Sequence, residues 1–366
     1  MNAAGKALVA MSGGVDSSVA ALLSVKAGYE CVGCTMKLFE GADTECGEKA
    51  CCTAADADDA RRIAYRLGMR YYVFNFTDDF RDTVIRDFAA GYLAGRTPNP
   101  CIECNRLMKF DKLWRRAALL GCDKLVTGHY ARIAYDGNAY RLKTAADKGK
   151  DQSYVLYFMT QDQLAHTLFP LGELSKTEVR AIAAENGFVN AAKPDSQDIC
   201  FVPDGDHAAA IENFTGEKSP CGDFVDFSGK PVGRHNGIIR YTVGQRRGLG
   251  ISSSSRLYVC GVDPDANTVT LGRENDLFFS SLIADDFNWI SGKTPEKPFS
   301  CGVRIRYRHP AVPAVVYPAD ESVRIVFDEP QRAVTPGQAA VLYDDDTVLG
   351  GGSILRAFHA GKREST

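Results

Sequence analysis

No stretch of this chain approaches the roughly 20 consecutive apolar residues that a bilayer-spanning helix needs, so no helical membrane span is expected. Neither charge sign dominates: 43 Lys and Arg stand against 46 Asp and Glu, for a net charge of −3. A globally basic nucleic-acid coat is thereby excluded, although a local basic face is not. The N-terminus runs into a short apolar stretch without the layout of a secretory signal, so a cytoplasmic protein is expected. Low-complexity sequence is confined to Ser252–Ser255, and no internal repeat is present. What remains is ordinary globular material, 45% hydrophobic and 24% charged over 366 residues, enough for two or three domains.

Cysteine is abundant instead, with 12 in the chain. A reducing compartment argues against a disulfide framework, which turns attention to metal binding or redox chemistry. Cys31 and Cys34 lie three apart on one apolar segment and point to opposite faces of a strand, so they read as core. Cys46, Cys51 and Cys52 sit in a polar insert, read as solvated rather than as a metal or redox site. Cys101 and Cys104 form a CxxC, and Cys122, Cys200, Cys221, Cys260 and Cys301 are scattered.

The first half alternates strand-like runs (Lys6–Ala10, Glu30–Met36, Tyr71–Phe76, Lys124–Thr127) with helical patterns (Val19–Ala27, Ala54–Leu67, Asp78–Ala94, Arg106–Leu120). That alternation predicts an α/β domain with a parallel sheet covered on both faces. A Pro-rich loop is expected over Arg96–Cys104, and Ser175 with Glu178 forms a capping box that opens a helix over Lys176–Asn186. From about residue 205 helical periodicity fades. Short alternating runs (Tyr258–Val262, Thr268–Leu271, Gly302–Tyr307, Ser322–Phe327, Ala339–Tyr343) then predict one or two β-rich modules.

Ser12-Gly13-Gly14-Val15-Asp16-Ser17-Ser18 joins the first predicted strand to the first predicted helix. Two glycines allow a tight turn, the serines add donors, and a helix N-terminus favours an anion. Asp16 is placed to hold magnesium against phosphates. A Gly-rich turn alone is also a plain strand–helix connection, and the Lys of a Walker loop is missing. The full string resembles the PP-loop of ATP pyrophosphatases, which cleave ATP between the α- and β-phosphates.

Thr97-Pro-Asn-Pro-Cys101-Ile-Glu-Cys104-Asn105 precedes a helix carrying Arg106, Lys109, Lys112, Arg115 and Arg116. A thiol in that setting is expected to be acidified and nucleophilic. Further along come Thr127–Ala131 (TGHYA), Lys150–Tyr157 (KDQSYVLY), Ser196–Phe201 (SQDICF) and Tyr241–Gly250 (YTVGQRRGLG). In this order, from residue 7 to about residue 355, these motifs resemble the tRNA-specific 2-thiouridylase family, known as MnmA or TrmU.

The resemblance implies a PP-loop domain of the adenine nucleotide alpha hydrolase type over 1–205. A small β-rich central domain over 206–280 and a C-terminal β-barrel that grips tRNA over 281–366 would follow. It implies ATP at Ala10, Met11, Ser12, Gly13, Gly14, Val15, Asp16 and Ser17, with Met36 and Gly128 flanking the adenosine and magnesium on Asp16. Cys200 is the implied persulfide carrier and Cys104 the partner nucleophile, supplied by a cysteine desulfurase or a sulfur-relay protein. Asn99, Pro100 and Cys101 are expected around the target base. Lys150, Asp151, Gln152, Arg306 and Tyr307 are expected on the tRNA, with His129 and Gln338 influencing its recognition. The pattern departs at Cys101, where many members carry Asp. An alternative therefore stays open in which Cys101, Cys104 and Cys200 ligate a [4Fe–4S] cluster that binds hydrosulfide.

RNA must meet positive charge. Candidates are the Arg106–Arg116 helix, Lys143, Lys148 and Lys150, Arg246 with Arg247, and a strand on which Arg304, Arg306 and Arg308 share one basic face. Each is also readable as a solvated face. The expected reaction is ATP-dependent 2-thiolation of the tRNA wobble uridine. Another PP-loop adenylating ligase acting on a small molecule is the alternative.

Overall fold

The strand-forming runs of the first half pair in a computed structural model that describes residues 4–39, 54–194, 199–202, 205–319 and 322–359; the insert with Cys46, Cys51 and Cys52 lies outside these. The strands in chain order are β1 (Lys6–Ala10), β2 (Glu30–Lys37), β3 (Arg70–Asn75), β4 (Lys124–Val126), the hairpin β5 (Ala131–Tyr135) and β6 (Tyr140–Thr144), and β7 (Thr167–Leu168). Five of them form an all-parallel sheet in the order β3-β2-β1-β4-β7.

Alternation along β1 sends Ala7 and Val9 to one face and Leu8 to the other. On the first face lie α1 (Val15–Lys26), α2 (Ala54–Arg66) and the later helix over Lys176–Glu185, packing Val19, Ile63 and Val179. On the second lie α3 (77–93) and α4 (100–119), packing Phe80, Val84, Met108, Phe110 and Leu113. Both α3 and α4 widen to π pitch, over Arg81–Ile85 and Cys104–Leu113. Such widening recurs at functional sites. The short α5 (Gln161–Ala165) precedes β7, and the Lys176–Glu185 helix is α6. Its capping box forms as expected, with Ser175 and Glu178 bonded reciprocally.

The middle module opens with a helix, α7 (His207–Thr215), where β structure alone was expected. Asp206 caps it by accepting from the Ala209 N–H at 3.0 Å, a local signal strong enough to hold an Ala-rich turn helical. Strands β8 (Gly222–Val225), β9 (Pro231–His235), β10 (Tyr258–Asp263) and β11 (Thr268–Gly272) follow as a sheet in the order β10-β11-β8-β9. Its core, around Phe224, Ile238, Tyr241 and Leu271, also takes in Phe88 and Tyr92 from α3.

Six strands close the C-terminal barrel: β12 (Phe278–Trp289), β13 (Phe299–Arg304), β14 (Val312–Pro318), β15 (Val323–Arg332), β16 (Ala339–Asp344) and β17 (Thr347–Phe358). They run in the order β12-β15-β14-β13-β16-β17, and β12 pairs back onto β17. Two features were not expected. The hairpin β5–β6 joins this sheet, Lys143 pairing with Thr347. Ile290, Val341, Tyr343 and Val348 also complete the apolar cluster under α3 and α4, so the barrel and the parallel sheet share one core.

Candidate active site at the sheet's switch point

Strand β1 is flanked by β2 on one side and β4 on the other, so the chain reverses direction across the sheet there and leaves a crevice at the strand ends. The PP-loop leaves β1 at this crevice. Helix α1 begins at Val15, four positions before the expected Val19, because Val15, Ser17 and Ser18 are buried although polar residues interrupt the periodicity. Its N-cap is Gly14, which has no side chain to satisfy the first-turn N–H groups. Ser17 shapes the turn, accepting from the Ser12 N–H at 3.1 Å and donating to the Gly14 carbonyl at 3.1 Å.

Gly13 has φ +76°, and a Cβ there would fall 2.3 Å from the Asp56 carbonyl oxygen at the start of α2. Asn190 braces the loop from behind, donating to the Gly13 carbonyl at 2.8 Å and to Ser18 Oγ at 3.0 Å. Gly128, just past β4, backs onto the same turn; a Cβ there would lie 2.8 Å from the Ser17 nitrogen. Met36 is buried near the end of β2, in the cluster under α3 and α4. An uncapped, glycine-walled helix start of this kind fits a polyphosphate.

The Asp16 carboxylate is not left open. Lys176 donates to both of its oxygens, at 2.7 and 2.8 Å, and Tyr130 donates to one at 2.8 Å. The ammonium also lies 5.9 Å from the Tyr130 ring centre. Lys176 and Tyr130 were missed from the sequence. Tyr130 lies within the TGHYA string and Lys176 follows the capping-box serine, but nothing local marks a pair formed across 160 positions.

Helix α4 starts at Pro100, inside the segment expected to be loop. Asn99 is its N-cap and accepts from the Cys101 N–H at 3.1 Å, and Pro100 takes the first-turn place where a missing N–H does no harm. Cys101 is exposed in that first turn, and Cys104 is half-buried where the π stretch begins. Between them Glu103 is half-buried, and burial pushes its carboxyl up against the pull of Arg106. Cys200 is half-buried too, and both it and Cys104 pack against the apolar cluster beneath α3 and α4.

Four of the other described thiols are shielded from solvent. Burial raises Cys31 to about 11 and Cys260 and Cys301 to about 12, and it raises Cys34, which is fully buried, further still. These are packing residues. Among the described residues no three His, Cys, Asp or Glu side chains gather to hold a metal ion.

The residues expected on tRNA divide by exposure. Asp151 is buried and accepts from Arg304 at 2.8 Å, from Ser153 Oγ at 2.9 Å and from the Ala145 N–H at 3.0 Å. Gln152 accepts from the Tyr130 N–H at 2.9 Å, and so holds the turn after β4. Burial, then Lys109, holds the His129 imidazole well below 6.5; its Nδ1 lies 2.8 Å from Thr127 Oγ1. Gln338 donates to the Thr97 carbonyl at 2.7 Å, fastening the barrel to the segment ahead of Pro100.

Strand β13 ends at Arg304, not at Tyr307, so the expected basic face does not form. Arg304 turns inward onto Asp151 and the Tyr343 ring, 4.4 Å from its centre. Arg306 donates to the carbonyls of Val243 and Ala333 and to Thr335 Oγ1, binding the barrel to the middle module. Tyr307, 38% exposed, lies close enough to Cys101 and Asp151 for their charges to add to the effect of burial in raising its phenol. Lys150 is half-buried.

In the basic helix, Arg106 pairs with Asp286, Lys112 with Asp79 and Arg115 with Asp111, whereas Lys109 and Arg116 have no acidic partner among the described residues. Lys143 pairs with Asp346, and Lys148 donates to Thr144 Oγ1. Arg246, Arg247 and Arg308 are exposed.

Comparison with known proteins matches three family models in succession. These are the tRNA methyl transferase HUP domain over residues 5–204, the tRNA methyl transferase PRC-barrel domain over 209–273 and the aminomethyltransferase beta-barrel domain over 279–354. A tRNA-specific 2-thiouridylase MnmA from Acetivibrio thermocellus is 49% identical over 354 residues, covering 95% of this chain and 99% of that one. Another, from Geotalea uraniireducens, is 49% identical over 358 residues, covering 96% and 95%. Among solved structures, a 4-thiouridine synthetase–RNA complex with bound ATP is 19% identical with a TM-score of 0.37, covering 58% of this chain and 50% of that one. That last likeness carries no argument about function. With near-full-length identity at this level, the chain belongs to the tRNA-specific 2-thiouridylase (MnmA) family.

Proposed function

We propose that this chain replaces the C2 oxygen of the tRNA wobble uridine with sulfur, consuming ATP and releasing AMP and pyrophosphate. The observation that carries the reading is the pairing of an uncapped phosphate loop at the sheet's switch point with two half-buried thiols, Cys104 and Cys200, on one apolar cluster. The uridine O2 attacks the α-phosphorus, pyrophosphate leaves, and N3 gives up its proton. The loop N–H groups from Ser12 to Ser17 and the Lys176 ammonium stabilise the charge that develops on the phosphates. Asp16 would hold magnesium, which would neutralise the triphosphate, and Lys176 would then pair with the phosphates.

Cys200 carries the sulfane sulfur as a persulfide received from a cysteine desulfurase or a sulfur-relay protein. Its terminal sulfur attacks C2 of the adenylated base. The Cys104 thiolate then attacks Cys200 Sγ; a Cys104–Cys200 disulfide forms, its two electrons reduce the departing sulfur to the thiocarbonyl level, and AMP leaves as N3 regains a proton. A dithiol reductant resets the pair, chemistry suited to a reducing cytoplasmic compartment. In this reading the two cysteines act directly on the sulfur.

Asn99, Pro100, Cys101 and Tyr307 border the target base in this reading, and Lys150, Arg116, Arg246, Arg247 and Arg308 meet phosphates. Asp151, Gln152, Arg306, His129 and Gln338 act on the tRNA indirectly, by fixing the surfaces that touch it. The test is mass spectrometry of tRNA nucleosides after incubation with ATP, magnesium, cysteine and a desulfurase. New 2-thiouridine with the wild type and none with Cys200→Ser or Cys104→Ser is expected. No 2-thiouridine with a competent donor, or full activity in both variants, overturns the reading.

A further inference from the structure

Residues Ile199–Val202 form a tight turn, in which the Val202 N–H donates to the Ile199 carbonyl at 3.0 Å. Its four side chains go to different places. Ile199 and Val202 pack into the core of the middle module. Cys200 lies against the cluster under the parallel sheet. Phe201 touches both cores.

The Phe201 ring is gripped from two sides by α3. Its centre lies 5.8 Å from Phe80 at 75° and 5.1 Å from Phe88 at 90°, both edge-to-face contacts. Phe80 is fully buried in the apolar cluster beneath the parallel sheet and Phe88 is buried in the core of the middle module. The contacts continue outward on both sides. Phe80 meets Phe39 just beyond β2 at 5.2 Å, and Phe88 meets Tyr92 at 5.0 Å, which faces His207 at the start of α7 at 4.7 Å. Consecutive Cα atoms are about 3.8 Å apart, so a ring held this way fixes the backbone that carries the neighbouring thiol.

We infer that Phe201 is a positioning residue for the Cys200 thiol: seated between Phe80 and Phe88 where the two modules meet, its ring sets the reach of that thiol toward Cys104. The inference rests on the reading in which Cys200 carries sulfur. Sulfur transfer needs two thiols and one carbon in register, and a misplacement of roughly 1 Å lowers such a rate about a hundredfold. Binding of ATP and adenylation of the base do not use this turn.

The test compares Phe201→Ala and Phe201→Leu with the wild type in three measurements: tRNA thiolation, tRNA-dependent pyrophosphate release, and diamide-driven formation of the Cys104–Cys200 disulfide. For Phe201→Ala, the kcat of thiolation and the rate of disulfide formation should each fall roughly ten- to a hundredfold. Pyrophosphate release and the KM for tRNA should stay within about twofold, and Phe201→Leu should recover most of the loss. Thiolation and disulfide rates near wild type, or a parallel fall in pyrophosphate release by folded protein, overturn the inference. If Phe201→Ala loses its cooperative thermal transition, Phe201→Leu decides, with an intermediate loss confined to the two thiol measurements supporting the inference and any other result overturning it. Cys200→Ser in the same assays separates the two ideas. Its full activity defeats the sulfur-carrier reading, while the disulfide rates of the Phe201 variants, which keep both thiols, still judge the geometry.

Discussion

His129 is neutral because it is buried among Phe110, Phe169 and Thr127, with the Lys109 charge adding to the effect. An imidazole held below its ordinary 6.5 in the folded chain returns to about that value on unfolding. Below 6.5 the unfolded chain takes up a proton that the folded chain refuses, so this stabilising contribution is complete above that pH and is lost as pH falls. Stability measured by urea unfolding should therefore drop between pH 7 and 5. His129→Asn should flatten the drop by up to about 1.4 kcal/mol per pH unit. His235, also lowered mainly by burial, contributes with the same sign, so the slope should shrink rather than vanish. An unchanged slope would show that His129 titrates freely. At this scale the sequence was only partly legible. The TGHYA string marked His129 for function, but its burial depends on α4 and the segment after β7, which no local pattern announces. Asp151 and Arg306 behave alike: the family resemblance implied contact with tRNA, while in the fold Asp151 accepts from Arg304 and Arg306 donates across to the middle module.

The PP-loop was legible because its glycines and serines are intrinsic to the turn they make. Its frame was not, since Asp56 and Asn190 arrive from distant parts of the chain. That frame makes Gly13 a sharp probe of the loop. At φ +76° with the Asp56 carbonyl 2.3 Å from any Cβ, Gly13→Ala must displace the turn. Pyrophosphate release should fall by about a hundredfold while circular dichroism stays native. Release close to wild type would mean that the loop does not cradle phosphate. Helix α4 teaches the opposite lesson. Thr-Pro-Asn-Pro reads as loop by composition, yet Asn99 and Pro100 are an N-cap and a first-turn proline, a start signal that two prolines in a row of four residues disguised. Helix α7 was missed for a related reason, one cap and a single Ala-rich turn amid β-forming sequence.

The α/β-then-β order of the molecule could be read from periodicity, but the sharing of one core between its ends could not. Ile290, Val341, Tyr343 and Val348 cover the cluster to which α3 and α4 contribute Phe80, Met108 and Phe110. The Thr97 N–H donates to the Pro336 carbonyl at 2.8 Å, so the segment leading to Cys101 is also clasped by the barrel. A fragment comprising residues 1–205 should consequently lack a cooperative thermal transition and bind a hydrophobic dye, whereas the full chain should melt cooperatively. A fragment that melts sharply would show that the parallel sheet is self-sufficient.

The pairing of Lys143 with Thr347 joins an early hairpin to the final strand. A ribosome delivers the chain from its N-terminus, so the catalytic half emerges on the order of ten seconds before the strand that will seal it. Throughout that interval its greasy underside faces water, and a holding chaperone would find there the same surface that β16 and β17 later occupy.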